Sequence, residues 1–306
     1  MNILIIKLNA TGDVVRTTPL LQRLPGEFTW ITARHNLPLL DGLEANLRSV
    51  SWEDRDVVRD RDYDLAINLE DEIDCATFLQ EVRCHQLFGA YLEPRSGITY
   101  TKDSRSWFDL SLISAFGRKK ADEMKLQNRR TYQEMIFAGL GLPFEGEKYL
   151  LPEARPTDLT GDVALAPVAG AVWPMKNWAF YEELKHELEI RGLKVNVLPR
   201  RTSLLEHLAD VQNHRCLVGG DSLPMHLALG SGTACVSLFN CTSPWEIYDY
   251  GIQTKIVSPL LEEFFYRRDF DSRATTAIDL DEVLDATINK LQVYEVNASG
   301  FSNDGI

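Results

Sequence analysis

The chain has 306 residues and a formal net charge of −13 with a pI near 5.0, a balance that excludes a nonspecific nucleic-acid or anionic-membrane binder, since those need an excess of Lys and Arg. Its length suits two domains of about 150 residues each. No apolar run approaches the roughly 20 residues of a bilayer span, and the first residues read as a strand rather than a signal peptide, so a cytoplasmic protein is expected.

Cys75, Cys84, Cys216, Cys235 and Cys241 are odd in number and lack CxxC spacing, which fits reduced thiols and supports neither a disulfide framework nor a zinc site. The last three lie in apolar segments and are expected to pack as small hydrophobes.

The opening stretch, NILIIKLNATGDVVRTTPLL, begins with Ile3 to Ile6 and Leu8, an apolar run interrupted only by Lys7. A buried parallel strand has this pattern. A polar turn over 9–13 follows, then Val14, Val15, Leu20, Leu21 and Leu24 at helical spacing, so the unit reads strand, glycine turn, helix. Asp13 falls at the carboxyl end of the first strand, the edge where open α/β sheets bind ligands. A cap or first-turn residue of the helix is the plainer reading of the same aspartate.

Further strands are expected at 28–32, 64–69 and 87–90. The acidic turn Glu70, Asp71, Glu72 and Asp74 would suit a hard cation, but a solvated face opening a helix is the preferred reading. Residues 91–127 show no clean period. A helix over 131–140 ends at Gly141 and Pro143, and the stretch 143–161, rich in proline and charge, reads as an interdomain linker.

A second strand-led series follows, with strands at 162–167, 193–198, 216–219 and 234–239. Helices at 178–190, 204–211 and 223–229 alternate with them, and a closing helix is expected at 280–291. The architecture is therefore α/β in both halves. Domains are placed at 1–153 and 154–293, with a mobile tail over 294–306.

Three stretches carry chemistry. KLNATGDVVRTTP lacks the three spaced glycines of a dinucleotide fingerprint. In APVAGAVWPMKNW small residues precede Lys176 near an expected helix start, where a point positive charge beside free amides suits a phosphate; a solvated lysine between packed Trp173 and Trp178 is the alternative. In GGDSLPMH, Asp221 or Ser222 can cap a short helix whose free amides and Ser222 hydroxyl suit a diphosphate, and His226 lies one turn on. FNCTSPWEIY, residues 239–248, reads as another polar strand end at the same edge.

Together these stretches resemble glycosyltransferase family 9, the heptosyltransferases of the lipopolysaccharide inner core. KLNATGDVVRTTPLL is similar to that family's opening signature, WPMKNW to its WP-x-x-x-W segment, and GGDSLPMHLALGSGTACVSLFNCTSP to its D-[TS]-G-x-x-H-x-x-[AS] helix, following strand and T-[SD]-P turn. The resemblance spans most of the chain. It implies a GT-B fold, two Rossmann-like domains facing across a cleft, with the acceptor on the amino-terminal side, the nucleotide sugar on the other, and a closing helix that packs back onto the first domain.

It further implies an inverting, metal-independent transferase with no cofactor, whose donor is ADP-heptose. Asp13 would be the general base and Lys176 would contact the donor diphosphate as the second catalytic group. Gly12, Asp221, Ser222, Leu223, His226 and Thr242 would form the donor-binding set. The acceptor would be a glycan or other hydroxyl compound, reached by peripheral contact where it is membrane-bound.

Two departures stand out. Leu223 replaces the glycine of D-[TS]-G, and LKVNVLPRRTSLLEHLADV runs from strand to helix as if some two dozen residues, with the acid that contacts the ribose, were missing. Arg200 and Arg201 occupy the shortened loop as candidate phosphate or acceptor contacts. Other readings remain open: a GT-B transferase with another nucleotide sugar or a protein or metabolite acceptor, or a silent nucleotide-sugar-binding subunit. An NAD-dependent dehydrogenase is disfavoured by the missing fingerprint.

Overall fold

A computed structural model describes residues 1–170 and 172–300, the last eight of these by backbone alone. The chain divides into two compact units. One comprises 1–152 with 245–248, and the other takes the remainder.

In the first unit β1 (Asn2–Ile6), β2 (Glu27–Thr32), β3 (Leu47–Ser51), β4 (Asp62–Asn68), β5 (Arg83–Glu93) and β6 (Gly97–Tyr100) form one sheet in the order β3-β2-β1-β4-β5-β6. All neighbours are parallel except β5 and β6. Alternation along β1 explains its apolar run: Ile3 and Ile5 enter one core with Trp30, Ile67 and Phe137, while Leu4 and Ile6 enter another with Ile31, Ala66 and Phe78. Both faces are covered, so no residue of the strand can be polar without a partner. Each fully buried aliphatic side chain there contributes roughly 1.5–3 kcal/mol.

The expected first helix is two pieces, α1 (Thr11–Thr17) and α2 (Leu20–Arg23), with Pro19 as the N-cap of the second. Proline has no N–H to continue the first helix and opens the second instead. Then come α3 (Ile73–Phe78), α4 (Arg105–Phe108), α5 (Arg118–Gln127) and α6 (Tyr132–Gly139). Thr131 and Glu134 form a capping box at the start of α6, which fixes where that helix begins.

The second unit holds β7 (Gly161–Ala166), α7 (Tyr181–Ile190), β8 (Val195–Val197), α8 (Leu204–Gln212), β9 (His214–Gly220), α9 (Leu223–Ser231), β10 (Ala234–Phe239) and β11 (Gln253–Val257), followed by α10 (Leu261–Phe264), α11 (Ser272–Thr276) and α12 (Leu280–Gly300). Its parallel sheet runs β11-β10-β9-β7-β8. In a six-stranded doubly wound order, 3-2-1-4-5-6, the third strand would lie beyond β8. Among the described residues no strand lies there, and three-residue β8 is the edge. The stretch from β8 to α8, residues 198–203, is correspondingly short.

Val283, Leu284 and Leu291 of α12 belong to the core of the second unit, with Val163, Val218 and Val236 of its sheet. Helical backbone continues through Gly300, and residues 301–306 of the expected tail lie outside the described residues. Cys216, Cys235 and Cys241 are buried as expected; burial pushes the Cys235 thiol up to about 12 and the Cys241 thiol up to about 11.

Candidate active site

In the first unit Asp13 stands where β1 hands over to α1. The N-cap of α1 is Ala10, and Asp13 lies in the first turn. Its carboxylate faces two cations. Oδ1 lies 3.0 Å from Arg16 Nε and Oδ2 3.8 Å from Lys7 Nζ. The aspartate side chain is 31% exposed, whereas those of Lys7 and Arg16 are 8% and 9% exposed. The carboxylate is the accessible face of a buried charge cluster.

Parallel pairing builds the cluster. Ile6 is registered against Asn68 on β4, so the residues just past each strand meet. Glu70 Oε1 accepts from Lys7 Nζ at 2.7 Å, from the Leu8 amide at 2.7 Å and from the Asn9 amide at 3.1 Å. The Glu70 amide donates to Asn68 Oδ1, and Asn68 Nδ2 donates to the Ala90 carbonyl. Gly89 lets β5 approach that closely, because a Cβ there would lie 1.8 Å from the Asn68 carbonyl oxygen.

Glu72 and Asp74 are exposed at the start of α3, as a solvated face opening a helix requires, but Glu70 is only 4% exposed and serves as the counter-charge of Lys7. Burial alone would lower the Lys7 pKa, but Glu70 and Asp13 outweigh it and hold it above its ordinary value.

On the other side, Arg16 Nη1 lies 3.8 Å from Glu246 Oε2, and its guanidinium stacks 4.2 Å from the Tyr132 ring centroid and 5.5 Å from that of Trp107. Glu246 Oε1 lies 3.6 Å from Lys125 Nζ, and the Tyr132 amide donates to the Glu246 carbonyl. Residues 245–248 therefore belong to this unit. The end of FNCTSPWEIY, residues 245–248, forms a turn.

In the second unit β7, β9 and β10 end side by side, Ala166 against Gly219 and Leu238 against Gly220. Their following loops share that edge. Lys176 closes a 3-10 turn, Pro174–Lys176, rather than opening a helix. Its Nζ donates to the Asp221 carbonyl at 2.7 Å and to Asp221 Oδ2 at 2.9 Å, so a solvated lysine is ruled out. His226 Nε2 is 4.0 Å from Asp221 Oδ1. Burial would raise the Asp221 pKa, but Lys176 and then His226 hold that carboxyl well below the usual range.

Ser222 is the N-cap of α9 without a side-chain cap bond; its hydroxyl donates to the Gly220 carbonyl at 3.3 Å. Leu223 and Pro224 open the helix. Proline supplies no amide, so this terminus offers one donor fewer than an ordinary helix start. Thr242 is buried just past β10, and its hydroxyl acts on Asp221 in the same direction as Lys176.

Arg200 is exposed. The Arg201 guanidinium is taken up by the fully buried Asp210 of α8, with Nε donating at 2.7 Å and Nη2 at 2.9 Å. Gly12 is buried within α1.

The sequence reading missed Lys7, Arg16, Glu70, Lys125, Tyr132 and Glu246. Lys7 and Arg16 carried a signal. A charge inside a fully apolar strand must be paired, and a cation three residues past Asp13 on a helix faces it. Glu246 had none.

Residues 171–265 match the family model of glycosyltransferase family 9 (heptosyltransferase). The fold is similar to a family 9 glycosyl transferase from Veillonella parvula, with TM-score 0.64 and 14% identity over 95% of this chain and 97% of that one. It is also similar to E. coli heptosyltransferase WaaC, solved with ADP-2-deoxy-2-fluoro heptose, with TM-score 0.60 and 16% identity over 95% and 99% of the two chains. E. coli ADP-heptose lps heptosyltransferase II gives TM-score 0.60 and 15% identity over 96% and 99%.

The two Rossmann-like units are thus those of a GT-B fold. The iron-containing dodecameric glycosyltransferase TibC of enterotoxigenic E. coli gives TM-score 0.58 and 10% identity over 95% of this chain and 78% of that one; among the described residues here no group of three or more His, Cys, Asp or Glu could hold a metal ion. No curated protein matches the sequence. No helix among the described residues is long and apolar enough to cross a membrane.

Proposed function

We propose that this chain, a glycosyltransferase of the family 9 type, is an inverting enzyme that transfers heptose from ADP-heptose to a hydroxyl of a lipopolysaccharide core or related glycan. The observation that carries the reading is the Asp13 carboxylate, partly exposed at the carboxyl edge of β1 and held from behind by buried cations. A sugar hydroxyl is too weakly acidic to attack unaided. A fixed carboxylate within hydrogen-bond reach takes its proton as the bond to the anomeric carbon forms.

The leaving diphosphate gains negative charge in the transition state. Lys176, held by Asp221 near the amino end of α9, supplies a fixed positive charge for it. Ser222, His226 and Thr242 surround that point, with Gly12 and Leu223 the remaining members of the expected set. A base on the acceptor and a clamp on the leaving group make a single displacement with inversion. Such an enzyme would work in the cytoplasm and meet a membrane-bound acceptor by peripheral contact.

The absent strand beyond β8 favours a second reading, in which the same chemistry uses another nucleotide sugar, because the ribose contact of the full-length loop has no counterpart here. A panel of ADP-heptose, UDP-sugars and GDP-sugars separates the two. The ligand that binds the folded chain raises its melting temperature with occupancy, and release of its nucleotide with candidate acceptors reports transfer. Stabilisation by ADP-heptose with ADP release supports the first reading. Stabilisation by a UDP- or GDP-sugar alone replaces it with the second, and binding without turnover against any acceptor leaves a nucleotide-sugar-binding subunit.

A further inference from the structure

The cluster around Asp13 poses an electrostatic problem. A general base must keep enough basicity to take a proton, yet two buried cations flank this carboxylate, Arg16 at 3.0 Å and Lys7 at 3.8 Å. Opposite charges this close hold a carboxylate ionised and weaken it as a base. Lys7 is answered by Glu70 at 2.7 Å. Arg16 is answered from a distant part of the sequence, by Glu246.

We propose that Glu246 is a positioning residue for Asp13, acting through Arg16: it holds the guanidinium on its far side and shares its charge, so that the Asp13 carboxylate is oriented without being overwhelmed. The inference rests on Asp13 serving as the base. Glu246 is 3% exposed. Its reach is through the 3.8 Å contact to Arg16 Nη1, while Arg16 Nε takes Asp13 Oδ1. Tyr132 and Trp107 fix the guanidinium by stacking, which leaves the arginine few rotamers in which to make either contact alone.

The charges facing this group from each neighbouring element can be named. Lys7 comes from the end of β1, Arg16 from α1, Glu70 from the turn after β4, Lys125 from α5, Tyr132 from α6, and Tyr149 from the stretch after α6. Asp13, Glu70 and Glu246 face Lys7, Arg16 and Lys125, and Glu72 of the acidic turn also feels Lys7. Removing the Glu246 charge leaves Arg16 to act undivided on Asp13. Removing the Arg16 charge does the reverse.

The test titrates the Asp13 carboxyl carbon by 13C NMR in the full chain labelled at aspartate, the resonance being assigned by its loss in Asp13→Asn. Glu246→Gln keeps the shape and one hydrogen-bonding oxygen; its Asp13 pKa falls by about 0.5–1 unit relative to the unsubstituted chain. Arg16→Gln moves it up by a similar amount, and Arg16→Lys, which keeps the charge, shifts it less than Arg16→Gln.

A role for Glu246 in packing alone lowers the melting temperature and leaves the titration in place. An Asp13 pKa within about 0.2 unit of the original in Glu246→Gln, a bound well inside the expected shift, overturns the proposal, as does a shift of the same sign in Glu246→Gln and Arg16→Gln. The readout needs neither donor nor acceptor. Failure of the base assignment is read separately, as undiminished nucleotide release by Asp13→Asn.

Discussion

Replacing Glu70 with glutamine removes the charge that answers Lys7 while keeping an oxygen for the Leu8 and Asn9 amides. The Lys7 and Glu70 side chains are 8% and 5% exposed and 2.7 Å apart. Removing one partner of such a buried pair costs about 3–5 kcal/mol, because the other charge stays buried without compensation. Asp13, 3.8 Å from Lys7 and partly exposed, recovers some of this, so the low end, about 3 kcal/mol, is expected. For a unit of this size that corresponds to a melting temperature lower by about 6–12 °C.

The loss should be largely repaired by adding Lys7→Met, since a neutral pair leaves no bare ammonium. The assay is a double-mutant cycle of urea unfolding with melting curves on the same samples. A Glu70→Gln chain within about 0.5 kcal/mol of the original, the range of an inconsequential surface change, would refute the claim that this pair is a buried, mutually dependent unit. The raised Lys7 pKa sets the sign with pH: the stabilisation is fully present below the unfolded value near 10.5 and is lost only as pH rises through the folded value.

The other predictions concern the second unit. Asp221 has a lowered pKa, so its contribution is present above the unfolded value of 3.8 and is lost as pH falls through the folded one; Asp221→Asn should melt below the original at pH 7, and the gap should close in acid. Lys176→Ala should weaken ADP-heptose binding about tenfold or more by calorimetry, the scale of one charge-assisted contact to phosphate, and equal affinity would remove Lys176 from the donor site. Arg201→Ala should lower the melting temperature by stranding the buried Asp210 carboxylate while leaving the KM for donor unchanged; a raised KM would make Arg201 a ligand contact.

Much of the fold was legible because its strands are buried on both faces. Residues 234–239 coincide with β10, and 28–32 and 64–69 differ from β2 and β4 by only a residue or two at each end. β3 was missed because LRSVS is only partly buried, so its composition carries no apolar run. β6, an antiparallel addition, has three half-buried positions before buried Tyr100 and no alternation to read. The helix α5, RKKADEMKLQ, buries only Ala121 and has no apolar stripe to announce it.

At the site, Asp221 could be picked out because it directly follows a strand, Asp13 because it opens the helix after β1, and Lys176 because it follows a run of small residues after β7. Their immediate partners divide by how local they are. Arg16 is three residues from Asp13, whereas Glu70 and Glu246 are brought in by strand register and by a loop that joins the first unit from far along the chain. No local pattern encodes those two contacts. The short connection from β8 to α8 is legible in the sequence, and so is Pro224, which leaves the start of α9 one amide fewer.

Nucleotide release from saturating ADP-heptose, with an acceptor that supports turnover, should fall by about 10²–10⁴ in Asp13→Asn while the melting shift on adding ADP-heptose stays as in the unsubstituted chain. Release by Asp13→Asn at the original rate would contradict the assignment of the base and the mechanism built on it.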